Sequence, residues 1–164
     1  MLDDVLAHDL HAVFCGRAVG DASLRRRAYY AGPGNKFWRT LHRTGLTPRQ
    51  LAPAEYRSLP QYGYGLTDIV KGQSGNDADI VFAPSDASAL REKIRAFAPR
   101  ILAFNGKRAA MEFLGRRRVE YGLQGETVGS TRIFVAPSTS GAANGFWDEG
   151  LWFELARLIE ETSG

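Results

Sequence analysis

Cysteine is nearly absent from this chain: Cys15 stands alone among 164 residues. One thiol excludes an internal disulfide, and by itself it cannot hold an iron–sulfur cluster or a structural zinc. Histidine is also scarce, and His8, His11 and His42 have no ligand spacing, so neither a metal nor a cofactor is expected. No apolar run is long enough to cross a bilayer. The acidic start Met1-Leu2-Asp3-Asp4 lacks the basic region of a secretory leader. These absences point to a cytoplasmic protein, nucleoid-associated if bacterial, with no membrane partner. Internal repeats and low-complexity tracts are missing too, so residues 1–164 are expected to form a single domain and a monomer.

The chain does carry positive charge. Its net charge is +3, mostly from arginine, with runs at Arg25-Arg26-Arg27 and Arg116-Arg117-Arg118. Such a balance favours a polyanionic partner, because neutralising phosphates releases counterions; solvated faces read equally well from charge alone. Four short apolar runs read as buried strands: Ala12–Gly16, Gly65–Val70, Arg100–Phe104 and Arg132–Ala136. Between the second and third lies a helical stripe of Leu90, Ile94 and Phe97, with Ser85 or Asp86 to cap it and Pro99 beyond its end. Further helices are predicted over Lys107–Leu114 and about Asp148–Glu161, the last with Leu151, Leu155 and Leu158 inward. Gln73-Ser74-Gly75-Asn76-Asp77 is the best candidate for a mobile loop. This alternation predicts an α/β fold, an open and mostly parallel sheet of four or five strands between two helix layers. In such sheets ligands bind outside the carboxyl ends of the strands.

Three loops follow strands and can share one crevice: Gly16–Asp21, the turn at Asn105, and Pro137-Ser138-Thr139-Ser140-Gly141. Beside them runs Tyr29-Tyr30-Ala31-Gly32-Pro33-Gly34-Asn35-Lys36-Phe37-Trp38. Glycines let backbone approach a flat ligand, and an adjacent aromatic offers a stacking face. Phe37 and Trp38 read as core. Two tyrosines in a polar loop do not, so Tyr30 or Tyr29 is a candidate for stacking on a base.

In order along the chain, Tyr30–Trp38, Leu59–Val70, Pro99–Lys107 and Pro137–Gly141 resemble the mismatch-specific uracil-DNA and thymine-DNA glycosylases. The resemblance implies a three-layer α/β/α sandwich. It also implies hydrolysis of the N-glycosidic bond of a damaged base flipped out of DNA, the partner being DNA that contains such bases. Carried over, Tyr30 stacks on the flipped base, and Arg17, Ala18 and Asn105 line its pocket. Ser138, Thr139, Ser140, Gly141, Ala142 and Asn144 form the DNA-gripping loop. Family wedges are bulkier than Ala142, and Asn144 or Phe146 can substitute. Uracil is the expected substrate, and a roomy pocket would admit hypoxanthine or xanthine.

One departure stands out. The family's first signature loop reads Gly-Ile-Asn-Pro-Gly, whereas this chain has Gly16-Arg17-Ala18-Val19-Gly20. A methyl at Ala18 can neither orient water nor stabilise charge. Either the protein binds lesions without cutting them, or the chemistry has moved. Asp21, in the same loop, is the leading replacement, with Asp68 in reserve. A carboxylate about 4 Å from an oxocarbenium-like sugar contributes roughly 4 kcal/mol at an effective dielectric of 20. That approaches a thousandfold in rate. No lysine lies in the first loop, so a covalent lyase mechanism has no support and a monofunctional enzyme is expected.

Overall fold

The computed structural model describes residues 2–75 and 79–163. Five strands form its sheet: β1 (Ala12–Gly16), β2 (Tyr64–Asp68), β3 (Ile101–Asn105), β4 (Gly122–Val128) and β5 (Thr131–Ala136). Their order across the sheet is β2-β1-β3-β5-β4. Only β4 runs antiparallel, against β5. The parallel strands are buried on both faces, and alternate residues serve opposite layers. Ala12, Phe14, Ile101, Ala103, Phe134 and Ala136 face one apolar cluster, while Val13, Cys15, Leu102, Phe104, Ile133 and Val135 face the other. Helices α2 (Phe37–Arg43) and α5 (Glu149–Ser163) pack on the first face, and α3 (Pro84–Phe97) and α4 (Lys107–Leu114) on the second. A short helix α1 (Asp21–Arg26) and a 3₁₀ helix (Pro53–Tyr62) complete the first side. The result is the expected three-layer sandwich, with the sheet at five strands.

Helix boundaries follow local chemistry. Pro84 opens α3 and the Asp86 carboxylate accepts from the Ala83 N–H at 2.8 Å, so Asp86 supplies the cap. Helix α5 buries Trp152, Leu155, Ala156 and Ile159, a face turned slightly from the predicted stripe and leaving Leu151 and Leu158 half-buried. Trp152 sets that turn, because its indole N–H donates to the Pro137 carbonyl at 2.9 Å. The strand β4 was not anticipated. Its sequence Gly-Leu-Gln-Gly-Glu-Thr-Val buries only its two ends and gives no run of apolar residues.

The amino-terminal segment lies along the outer edge of β2, where Val5 and Leu66 exchange backbone hydrogen bonds of 2.9 and 2.8 Å. Gly65 permits that approach: a Cβ there would sit 2.5 Å from the Val5 carbonyl oxygen. Of the loop Gln73–Asp77, Asn76 and Asp77 lie outside the described residues. The rest is tied down. The Gln73 amide bonds Val81 in both directions, and Ser74 bridges Val19.

Candidate active site

The carboxyl ends of β1 and β2 are stitched together by backbone bonds from Ile69 N to Gly16 O (3.0 Å) and from Val70 N to Arg17 O (2.8 Å). This stitching fixes Asp68, the last residue of β2, beside Gly16. A Cβ at Gly16 would lie 3.0 Å from Asp68 Oδ1 and 3.4 Å from the Tyr30 hydroxyl, so the glycine leaves open the space where these two groups converge.

Asp68 is 4% exposed, and its Oδ2 is buried with no hydrogen-bond partner. Burial pushes its carboxyl up to about 6, against the pull of the Lys71 ammonium and with a smaller push from Asp4. Lys71 Nζ stands 3.6 Å from Asp68 Oδ2, an ion pair beyond hydrogen-bond distance.

Tyr30 reaches the same point through an unusual backbone. Arg27 ends α1 in the left-handed conformation (φ 54°), and Tyr30 itself has φ 52°. A left-handed tyrosine costs on the order of 1 kcal/mol and persists because its neighbours fix it. The Ser23 hydroxyl accepts from Ala31 N (3.1 Å), and the Trp38 indole donates to Tyr29 O (3.0 Å). The Tyr30 ring stacks on Phe37 at 4.1 Å between centroids, and its buried hydroxyl has no partner. Burial, and then the Asp68 charge, raise the Tyr30 phenol well above its ordinary value, so it stays protonated. Tyr29, by contrast, is 2% exposed and packs edge-on against Tyr56 within the core.

At the ends of β3 and β5 the polar groups are satisfied. Asn105 Nδ2 donates to Thr139 Oγ1 and Thr139 N donates to Asn105 Oδ1, both at 2.9 Å. Thr139 is fully buried and its carbonyl accepts from Lys36 N at 2.9 Å. That bond joins the loop after β5 to the Gly32-Pro33-Gly34 turn, where Gly141 sits so close to Gly34 that a Cβ on it would meet the Gly34 carbonyl at 3.3 Å. Ser138 and Ser140 are half-buried, and each hydroxyl accepts from a backbone N–H two residues on. Ala142 and Asn144 are exposed, Asn144 accepting from Lys36 Nζ, and Phe146 stands out at 75% exposure.

The remaining predicted residues lie elsewhere around the first loop. The Arg17 guanidinium turns to α4, bonding Glu112 (Nε to Oε1, 2.7 Å) and the Ile80 carbonyl (2.9 Å). Ala18 is half-buried against the α3–α4 cluster. Asp21 is exposed at the start of α1, its oxygens 3.8 Å from where a Gly75 Cβ would be. The Cys15 thiol is fully buried and, raised first by burial and then by Asp68, stays protonated. An open cleft of about 410 Å³ adjoins Tyr30, bounded by Gly32, Asn35, Arg39 and Gln50. Lys71 and Asp4 went unnoticed in the sequence, where the lone hint is a lysine three residues after Asp68. Among the described residues, no three His, Cys, Asp or Glu side chains are grouped to hold a metal, and no helix is long and apolar enough to cross a membrane.

Fold and site together define a mostly parallel α/β sheet with the Asp68 carboxyl and the Tyr30 hydroxyl buried and unpartnered at the carboxyl end of β1. The chain belongs to the uracil DNA glycosylase superfamily, whose family model matches residues 4–157. The solution NMR structure of a "putative Uracil DNA glycosylase" from Methanosarcina acetivorans has a similar fold. Its TM-score is 0.59 at 21% identity, covering 97% of this chain and 96% of that one. Superfamily membership makes the chain a DNA glycosylase in general terms, a hydrolase of DNA repair.

Proposed function

We propose that this protein is a monofunctional glycosylase that releases uracil, and other deaminated bases such as hypoxanthine or xanthine, from DNA, with Asp68 activating the water. The observation that carries this reading is the unpartnered Asp68 carboxyl, held beside the Tyr30 hydroxyl at the point left open by Gly16. A group that releases its proton near pH 6 is mostly ionised at pH 7 to 8, yet basic enough to take a proton from water. Its negative charge also stabilises the oxocarbenium-like sugar as the bond breaks. Tyr30, backed by Phe37, offers its other face to the base. Asn105, which faces the Tyr30 hydroxyl, is placed to offer a base carbonyl the Nδ2 hydrogen not used on Thr139. The loop Ser138–Asn144 grips the backbone, and Phe146 supplies the wedge bulk that Ala142 lacks.

Asp21 belongs to the same reading as the rival base. Its exposure argues against it, because solvent screens the field that an exposed carboxylate projects on the sugar. Single-turnover release from uracil, hypoxanthine and xanthine oligonucleotides, single- and double-stranded, separates the two. Asp68→Asn is expected to slow release by roughly 10²- to 10⁴-fold. Asp21→Asn is expected to stay within about threefold, as befits an exposed side chain. Full activity of Asp68→Asn would remove Asp68 from the chemistry. Salt-dependent binding of damaged DNA with no release by the wild type would instead make the protein a lesion binder.

A further inference from the structure

Lys71 is surrounded by more acceptors than it can serve. An ammonium has three donors. Here they meet Leu2 O at 3.1 Å, Asp4 Oδ1 at 2.9 Å and the Tyr29 hydroxyl at 3.4 Å. Asp68 Oδ2, 3.6 Å away, lies beyond hydrogen-bond distance, so Lys71 acts on it chiefly as a charge. Asp4 is itself firmly held. Thr67 Oγ1 donates to its Oδ1 at 2.8 Å, and Lys93 of α3 bonds its Oδ2. Burial acts to raise the Asp4 carboxyl, but the hydrogen bonds from Lys93 and Lys71 keep it below its usual value. The amino-terminal segment that brings Asp4 and Leu2 here is anchored by the Val5–Leu66 bridge.

We infer that Lys71, its donors drawn off by Asp4 and the amino-terminal backbone, is a positioning residue that gives Asp68 a counter-charge without occupying the lone pairs that must receive a proton from water. This inference rests on Asp68 being the base. A lysine free to bond Asp68 directly would keep it ionised but cap Oδ2. No lysine at all would leave a buried carboxyl protonated. The arrangement found avoids both. The groups facing Asp68 are Lys71 from the loop after β2, Asp4 from the amino-terminal segment, Tyr29 and Tyr30 from the loop after α1, and Cys15 from β1. Of these only Lys71 is cationic, so its removal has one sign.

The test combines the pH dependence of single-turnover base release with a ¹³C NMR titration of the Asp68 carboxyl, which does not depend on activity. In Lys71→Met both the acid limb of release and the Asp68 titration are expected to move up by about one to three pH units, the range for losing an opposite charge at this distance. Lys71→Arg is expected to restore the wild-type position. Asp4→Asn is expected to move both downward while lowering the rate plateau, because it removes a negative neighbour and frees a Lys71 donor to cap Oδ2. Opposite shifts from the two variants are not what a merely structural role gives, which lowers melting temperature and rate without moving the limb. An Asp68 titration unmoved in folded Lys71→Met, or unmoved or raised in Asp4→Asn, overturns the inference. Full activity of Asp68→Asn would instead overturn the assignment of the base, while the NMR titrations still report whether Lys71 tunes Asp68.

Discussion

The carboxyl edge of the sheet has two ends that obey opposite rules. At the β3–β5 end Asn105 and Thr139 bond each other twice, the Thr139 carbonyl accepts from Lys36 N, and the pair ties its loop to the Gly32–Gly34 turn. At the β1–β2 end, Asp68 Oδ2 and the Tyr30 hydroxyl are buried without one. Buried polar groups are normally satisfied, and leaving one unpaired costs about 1–3 kcal/mol. The satisfied end therefore acts as scaffold. The unsatisfied end carries a free-energy cost that any hydrogen-bonding group reaching it would relieve.

The sharpest way to test the contrast is to neutralise the unsatisfied end. Asp68 releases its proton near 3.8 when unfolded and near 6 when folded, so between those values the folded state binds more protons and stability falls as pH rises. Asp68→Asn is expected to be more stable than wild type by up to about 3 kcal/mol above pH 6, with the advantage gone below pH 4. Denaturant unfolding at pH 4 and 7.5 measures this, and equal destabilisation at both would break the contrast. The scaffold end should respond the other way. Asn105→Ala strands the buried Thr139 N–H and is expected to lose about 2 kcal/mol, a fall of roughly 4–8 °C in melting temperature. The smallest effect is expected from Tyr30→Phe, which keeps the stack on Phe37 but deletes the orphan hydroxyl. A gain of up to about 1 kcal/mol should appear as a slightly higher melting temperature. A clear loss would mean the hydroxyl has a partner after all.

The parallel strands were legible because a doubly buried strand must be apolar throughout, as Ala12–Gly16 and Ile101–Phe104 are. The edge strand β4 was not, since Gln124, Glu126 and Thr127 carry no apolar alternation. That Tyr30 lies near the loops that follow β1, β3 and β5 could be read from local residues and family resemblance. The state of the two aspartates could not. Asp21 and Asp68 look alike on paper, and what separates them is tertiary. The amino-terminal segment, some sixty residues upstream, lies along β2 and brings Asp4 to Lys71, which the loop after β2 already holds beside Asp68. The spacing of Lys71 from Asp68 hints at half of that meeting, and nothing in the sequence marks Asp4.

The bridge between Val5 and Leu66 has another consequence. An open sheet has two rims, and each invites a stray strand from a neighbouring molecule. On the β4 rim, Gln124 and Glu126 make a polar, charged border. On the β2 rim the chain's own beginning lies along the strand as a selvedge, Val5 paired with Leu66. The few residues that shape the electrostatics of Asp68 thus also occupy backbone groups on the outer edge of β2 that would otherwise face outward.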